Sequence, residues 1–176
     1  MTSMKFFQAK NIKRARLHSI EDKVSGKYFP NQTPWTLTET QYDFAFPCAT
    51  QNEIDGEGAA LLVKKGVLGV MEGANLPTTL EGQHILRSSS GTIYIPGKAA
   101  NAGGVGVSGF EMSQNAQRLT WTREEVDAKL KVLMANIYEQ MTNLKDDKGG
   151  TTLEQGANRA GFVKVANAME KLGWIY

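Results

Sequence analysis

The segment IPGKAANAGGVGVSGFEMSQN, residues 95–115, decides the fold. A short apolar run at 92–95 precedes it and predicts a strand, and the chain then passes through Asn101 and a glycine pair into a helical pattern that carries Ser108. Glycine is used where the backbone turns tightly or where another group approaches it closely. The corner by itself leaves two interpretations open: a close-packed turn with Asn101 as helix cap, or a ligand site at the carboxyl end of a strand.

Residues 104–109, GVGVSG, match the dinucleotide-binding pattern G-x-G-x-x-G. That pattern requires a strand immediately before it, a helix that opens at it and an acidic residue about twenty positions later on the next strand. Here the predicted strand ends several residues earlier, and the acidic residues at that distance, Glu124 and Glu125, begin a helix. We therefore interpret the match as accidental.

The order of strand, small polar corner and helix also occurs twice before this segment. Apolar runs at 42–46 and 67–71 predict strands, and they are followed by the corners CATQN (48–52) and EGAN (72–75). Alternating strands and helices imply a parallel sheet with covering helices. The carboxyl ends of parallel strands meet at one edge, so these corners and NAGG (101–104) are expected together. Their alignment favours the ligand site.

Helix signals lie between the predicted strands. We expect one helix at 55–65, ending before Gly66, and a second that begins at Pro77. The run at 42–46 is apolar without alternation, which indicates a strand buried on both faces. The fold class is therefore α/β, a partial Rossmann-like parallel sheet of about three strands with flanking helices.

The C-terminal part, residues 104–176, is largely helical in pattern. A T-x-x-E capping box at 122–125 begins a long amphipathic helix. A final helix is predicted at 156–172, where Gly156 and its small neighbours Ala157, Ala160 and Gly161 allow another backbone close. A further helix is expected at 4–20. The apolar face of the long helix comprises Val126, Leu130, Leu133, Met134, Ile137, Met141 and Leu144.

Composition excludes several classes of function. A net charge of +2 is too small to indicate nucleic-acid binding by overall charge. No apolar run approaches the length of a membrane span. Cys48 is the only cysteine, which suits a reducing compartment. His18 and His84 stand alone, so no nucleophile–base pair and no metal site is visible. We expect a cytoplasmic protein without nucleic-acid or membrane partners.

Five segments, in this order and spacing, resemble the C-terminal portion of hexameric glutamate dehydrogenase of the short NADP-linked kind, within the Glu/Leu/Phe/Val dehydrogenase family. The resemblance covers nearly all of the chain from about Lys10 onward. Gly106 and Val107 depart mildly from the Ala-Thr-like residues expected there. The segments are PCATQNEI (47–54), EGANLPTT (72–79), PGKAANAGGV (96–105), SGFEMSQN (108–115) and GANRAGFVKVANAM (156–169).

The resemblance implies reversible NAD(P)-dependent oxidative deamination of L-glutamate to 2-oxoglutarate and ammonia, with NADP favoured over NAD. It implies that Asn75 and Asn101 hold the nicotinamide ribose and carboxamide, and that Ser108 bonds the γ-carboxylate of glutamate. No catalytic residue and no metal ligand is assigned. The candidate cofactor-binding residues are Ala49, Thr50, Gln51, Asn75 and Asn101, and the candidate substrate-binding residues are Val105 and Ser108.

Complete members of the family also carry an N-terminal substrate domain with a catalytic lysine, and a Gly-rich cofactor turn. We expect neither in this chain, so residues 1–176 are interpreted as the C-terminal part of a dinucleotide-binding domain, inactive alone. Three hypotheses stay open: part of a glutamate dehydrogenase that needs a complementing N-terminal half, a non-catalytic nucleotide-binding or interaction module, or an α/β binding protein for another nucleotide. An open sheet edge predicts self-association, or a helix that covers the edge.

Overall fold

The structure is a computed structural model that divides into two units, Met1–Thr40 and Gln41–Tyr176. In the first unit Pro34–Thr36 forms a 3-10 turn that includes the buried Trp35. That the whole chain is a single part of one nucleotide-binding domain stays a prediction. The described residues are 28–37, 41–143 and 152–173, together with Arg14, Arg16 and Ser19.

The helix predicted at 4–20 lies almost entirely outside the described residues. Of its members, Arg14, Arg16 and Ser19 are described; Arg14 and Arg16 are not helical, and Ser19 lies in a 3-10 turn. Arg14 has a φ of +49°, which is incompatible with a right-handed helix. Residues 174–176, an apolar run in the sequence, also lie outside the described residues.

Three parallel strands form the sheet of the second unit, in the order β1–β2–β3. Val70 in the middle strand pairs with Ala45 on one side and with Tyr94 on the other. The predicted partial Rossmann-like sheet of about three parallel strands is therefore confirmed. The strands are β1 (Phe44–Ala45), β2 (Gly69–Met71) and β3 (Ile93–Ile95).

Six helices accompany this sheet in the described part of the second unit. Asp55 caps the first by accepting a 2.8 Å hydrogen bond from the Gly58 N–H, and Gly66 follows the helix at φ +74°, as the sequence predicts. The helices are α1 (Gly56–Lys64), α2 (Leu80–Ser88), α3 (Gly97–Ala100), α4 (Ala102–Gln117), α5 (Arg123–Asn143) and α6 (Leu153–Leu172).

The predicted start of the second helix at Pro77 is wrong, because α2 begins at Leu80. Thr78 instead forms an isolated parallel bridge with Ile54. The Thr79 hydroxyl then caps α2 by accepting from the Gly82 N–H at 3.2 Å. Pro77 therefore belongs to the connection before the helix.

The hydrophobic core lies among the strands, α1 and α2. The prediction that β1 is buried on both faces is wrong: Ala45 is buried, but Phe44 and Phe46 are 48% and 62% exposed. β1 is an edge strand of the described sheet, and no described element covers the face that carries the two phenylalanines. The fully buried apolar side chains include Ile54, Leu62, Val67, Val70 and Leu86.

Helix α5 packs against α4 and against α6, in both cases through a glycine of the neighbouring helix. A Cβ added at Gly103 would lie 3.3 Å from Leu130, and one added at Gly156 would collide with the Met141 carbonyl. The close approach predicted at Gly156 is thus confirmed, whereas Gly161 meets no neighbour within 4 Å. Within the described ranges, no helix combines the length and apolarity needed to cross a membrane.

Candidate functional site

A cleft of about 470 Å³ lies at the carboxyl ends of the three strands. Each of the three polar corners contributes to it, so the predicted meeting of the corners at one sheet edge is observed. Of the predicted site residues, four line this cleft and three do not. The lining residues are Cys48, Ala49, Gly73, Ala74, Asn75, Asn101 and Val105.

Two asparagine side chains join the second and third corners. The Asn101 Nδ2 group donates to the Ala74 carbonyl at 3.1 Å and to Asn75 Oδ1 at 2.8 Å. Asn101 is the N-cap residue of α4, but its side chain makes no capping bond, because the amide is directed to the neighbouring corner. Among the described residues, Asn75 Nδ2 and Asn101 Oδ1 have no protein partner, which leaves one donor group and one acceptor for a ligand.

The first corner is held by a carboxylate. Glu53 Oε1 accepts hydrogen bonds from the backbone N–H groups of Ala49 at 3.0 Å and Thr50 at 3.3 Å. Ala49 lines the cleft, whereas Thr50 and Gln51 are exposed and lie outside its lining. The first corner therefore offers the cleft two short side chains, Cys48 and Ala49, and the backbone N–H groups of Ala49 and Thr50 are already engaged by Glu53.

The first two corners approach closely because one of them carries glycine. A Cβ added at Gly73 would collide with the sulfur of Cys48. Both Gly73 and Ala74 donate backbone hydrogen bonds of 3.0 Å to the Pro47 carbonyl. A side chain at position 73 would therefore require the Cys48 side chain to move.

The first turn of α4 forms the remaining wall. Val105 lines the cleft and is 74% exposed. Ser108 lies one turn later, outside the lining, and its hydroxyl donates to the Gly104 carbonyl at 3.2 Å. The G-x-G-x-x-G match at 104–109 lies inside α4 with no strand immediately before it, which confirms that the match is accidental.

A buried glutamate lies behind the cleft and was missed by sequence reasoning. Glu72 is 2% exposed, and its two carboxylate oxygens accept from the Tyr94 hydroxyl at 2.8 Å and the Gly97 N–H at 2.7 Å. Burial, and then the bond to Glu72, raises the pKa of Tyr94, so its hydroxyl keeps its proton and donates. The only signal in sequence is the position of Glu72 directly after a strand.

A second buried glutamate, Glu154, connects α6 to α2 and α3. Its carboxylate pairs with Arg87 at 2.6 Å and lies 3.9 Å from the Lys98 ammonium. Lys98 in turn donates to Asn158 Oδ1 at 2.6 Å. Both buried glutamates line a cavity of about 300 Å³ adjacent to the cleft. Because the residues of this cluster are distant in sequence, no local sequence pattern predicts it.

The lining of the cleft suits orientation of a polar ligand and not proton transfer. It presents amide groups, backbone, short apolar side chains and the Cys48 thiol, and no carboxylate, imidazole or amine of a described residue lines it. Amide groups match the donor and acceptor pattern of a carboxamide or a ribose hydroxyl. Within the described ranges, no group of three or more His, Cys, Asp or Glu side chains could hold a metal ion.

The model of the Glutamate/Leucine/Phenylalanine/Valine dehydrogenase family matches residues 3–173. The chain therefore belongs to this family, which confirms the resemblance noted from the five sequence segments. The match covers both the three-stranded sheet and the helices that follow it.

Known relatives narrow the comparison to glutamate dehydrogenases. The chain is 46% identical over 168 residues to the NADP-specific glutamate dehydrogenase of Giardia intestinalis, covering 94% of this chain and 37% of the relative. It is 47% identical over 165 residues to the Haemophilus influenzae enzyme of the same name, covering 93% and 36%. The crystal structure of Plasmodium falciparum glutamate dehydrogenase aligns with a TM-score of 0.85 and 46% identity, covering 96% and 36%. The chain thus spans little more than a third of the length of these proteins.

Proposed function

We propose that this chain supplies one wall of the site at which an NADP-linked glutamate dehydrogenase brings its cofactor and glutamate together. The observation that carries the proposal is the cleft at the carboxyl ends of the strands, where Asn75 of one corner and Asn101 of another meet. Nucleotide cofactors bind at this edge of open parallel sheets. The 46% identity to an NADP-specific glutamate dehydrogenase supports NADP, ahead of NAD, as the cofactor.

The two asparagines are proposed to orient the nicotinamide end of the cofactor. Because Asn101 Nδ2 is engaged by Ala74 and Asn75, its Oδ1 atom is directed to accept from the carboxamide or ribose. The Asn75 Nδ2 group is complementary, since it donates. The cofactor, when bound, supplies hydride transfer to and from the substrate. Ala49, with Thr50 and Gln51 beside it, is proposed to border the ribose region.

Val105 and Ser108 are proposed to contact the substrate. Val105 stands exposed on the cleft wall, where it can cover the aliphatic part of glutamate or 2-oxoglutarate. The Ser108 hydroxyl can bond a γ-carboxylate if it rotates away from the Gly104 carbonyl. This rotation breaks only the weak hydrogen bond between the hydroxyl and the carbonyl four residues earlier in the helix.

The uncharged lining predicts that the chain alone does not turn over glutamate. Deamination requires groups that accept and donate protons, and among the described residues the cleft lining contains no carboxylate, imidazole or amine and only the Cys48 thiol. We propose that a complementing N-terminal half provides them. The same uncharged lining favours a second candidate function, a module that binds the nucleotide without catalysis.

The proposed cofactor role is tested by titrating the purified chain with NADPH and following the fluorescence of the nicotinamide. Asn101→Ala is expected to weaken binding about tenfold, the equivalent of about one hydrogen bond. Asn115→Ala, on an exposed part of α4, is the matched control and leaves the affinity unchanged. Equal affinities of the Asn101→Ala variant and the wild type contradict the assignment.

An activity assay separates the two candidate functions. We expect no 2-oxoglutarate- and ammonia-dependent oxidation of NADPH by the chain alone. Activity on mixing with an N-terminal fragment of a glutamate dehydrogenase supports the enzyme. Binding of NADPH without such recovery supports the non-catalytic module, and turnover by the chain alone contradicts both assignments.

We also propose self-association through β1 and a cytoplasmic location. The exposed Phe44 and Phe46 on the described sheet edge support association, since an apolar edge strand is a template for another chain. The single cysteine supports a reducing compartment. Sedimentation of a monodisperse monomer contradicts the association.

A further inference from the structure

The corner that carries Asn101 is fixed from behind by Glu72. The Glu72 backbone N–H donates to the Ile95 carbonyl at 3.1 Å, which aligns the ends of β2 and β3. Its carboxylate then reaches past the strand end to the Gly97 N–H at 2.7 Å. A side chain that is 2% exposed thus connects the second strand to the first residue of α3.

The α3 turn transmits this anchor to the cleft. The Gly97 carbonyl accepts from the Asn101 N–H at 2.9 Å, so the two residues bracket a single helical turn. The Asn101 side chain then donates to Ala74 and Asn75 on the same corner that Glu72 begins. A closed ring therefore links four residues, with hydrogen bonds between Glu72 and Gly97, between Gly97 and Asn101 and between Asn101 and Asn75. The backbone of residues 72–75 closes it.

There is no spare volume within this ring. A Cβ added at Gly97 would lie 2.9 Å from the Ala74 carbonyl oxygen, 3.3 Å from Asn101 Nδ2 and 3.4 Å from Glu72 Oε2. Packing at this density means that a displacement of Gly97 displaces the Asn101 amide as well.

We propose that Glu72 is a positioning residue of the cleft, whose carboxylate acts through the Gly97 N–H to hold the Asn101 side chain against Asn75. The proposal rests on the proposed cofactor role of that asparagine pair. Glu72 itself lines the adjacent cavity and not the cleft, so it acts through its neighbours. The Tyr94 hydroxyl fixes the second carboxylate oxygen and completes the anchor.

This role requires a side chain at position 72 that is long enough to bond the Gly97 N–H, and it does not require a negative charge. Two variants separate these properties. Glu72→Gln keeps the length: its carbonyl oxygen can accept from Gly97 while its amide donates to the Tyr94 oxygen. Glu72→Asp keeps the charge but is one methylene too short to bond Gly97 in place. Glu154→Gln is the control, because Glu154 is a second buried glutamate of the same cavity whose hydrogen bond goes to Arg87 and whose contact with α3 is the 3.9 Å approach to the Lys98 ammonium, not a bond to Gly97.

The test uses the full ¹⁵N-labelled chain and two measurements: the side-chain amide signals of Asn101 without ligand, and the affinity for NADPH. Glu72→Asp is expected to shift the Asn101 signals and to weaken binding about tenfold, because a misplaced binding group loses its hydrogen bonds. Glu72→Gln is expected to restore both, and Glu154→Gln to lower the melting temperature with the affinity unchanged.

Three results overturn the proposal: unchanged Asn101 signals in Glu72→Asp, equal damage from Glu72→Gln, or equal loss of affinity in Glu154→Gln. If Glu72→Asp does not fold, Tyr94→Phe frees one carboxylate oxygen and is expected to shift the same signals, and unchanged signals there overturn the proposal. Failure of the wild type to bind NADPH refutes the cofactor role alone, since the Asn101 signals still decide the role of Glu72.

Discussion

The sheet half of the second unit, residues 41–101, and its helical half, residues 102–173, bury their side chains to different extents. In the sheet half Leu62 and Val70 are fully buried. In the helical half α4 has no buried residue, and Met141 is the only buried one described in α5. Large apolar side chains such as Leu172 are instead exposed there.

The difference shows how much of each half is stabilised by its own contacts. The strands, α1 and α2 enclose a core, so their geometry is fixed locally and the cleft corners inherit that rigidity. The three long helices touch along narrow seams such as Gly103 against Leu130 and Gly156 against Met141. Their apolar faces are only partly covered, so tertiary contacts add less stability per residue.

The largest expected effect comes from the same truncation made in each half. Leu62→Ala removes a fully buried side chain and should lower the free energy of unfolding by about 2–5 kcal/mol. Leu172→Ala, at a position 81% exposed, should change it by less than about 0.5 kcal/mol. Urea unfolding of both variants measures the contrast. Similar losses would show that the two halves do not differ as described.

An intermediate effect is expected where the helical half is tightly packed. Gly156→Ala forces a methyl group against the Met141 backbone, so α5 and α6 must separate, at a cost of about 1–3 kcal/mol. Gly161→Ala lies on the same helix with no neighbour within 4 Å, and should stabilise it by up to about 1 kcal/mol. Thermal unfolding gives the sign of each change, and destabilisation by Gly161→Ala would show a contact that the structure lacks.

The smallest expected effect distinguishes two capping boxes of the helical half. Glu125 accepts from the Thr122 N–H at 2.7 Å, and Gln155 accepts from the Thr152 N–H at 3.0 Å. The backbone and side-chain bonds to Thr122 lower the pKa of Glu125. Because the pKa of Glu125 is lowered in the folded state, its ionised carboxylate stabilises the fold at pH values above the ordinary pKa of a glutamate. This stabilisation is lost as the pH falls through the pKa of the folded state.

Hydrogen exchange measures this difference between the boxes. Protection of the Thr122 amide should decrease as pH is lowered from 5 through the range in which carboxyl groups titrate, about pH 4 and below. Protection of the Thr152 amide should follow only the intrinsic pH dependence of exchange, because a glutamine does not titrate. Parallel loss at both boxes would attribute the change to global acid unfolding.

Local patterns in the sequence were sufficient for the three strands and for the approximate ranges of the longer helices. The alternation of strands and helices predicted three parallel strands, and the helix predicted at 55–65 before Gly66 matches both ends of α1 to within one residue. The capping box at Thr122 and the close approach at Gly156 were also predicted. These features depend on neighbouring residues, which a sequence displays directly.

Features that depend on tertiary context were predicted wrongly or missed. An apolar run does not reveal that its strand lies at a sheet edge, so the exposure of Phe44 and Phe46 was not foreseen. Pro77 suits a helix start, but the bridge at Thr78 delays the helix. Bonds such as Gly97 to Glu72, 25 positions apart, leave no local pattern.

The candidate site lies between these two cases. Alignment of the corners predicted that EGAN and NAGG would lie at one sheet edge, and the structure places Asn75 Oδ1 and Asn101 Nδ2, one from each corner, 2.8 Å apart. Thr50, Gln51 and Ser108, which were assigned through resemblance, lie outside the lining of the cleft. Their roles, and those of the residues that do line it, stay predictions.

Chemical-shift mapping with NADPH tests the central claim most directly, because it compares the two halves in a single titration. The ¹⁵N-labelled chain is titrated with NADPH while backbone and side-chain amide signals are followed. The account predicts that the side-chain signals of Asn75 and Asn101 and the backbone signal of Val105 shift together, while those of α6 remain in place. Shifts confined to α6, or none at the corners at saturation, would contradict a cofactor cleft at the sheet edge.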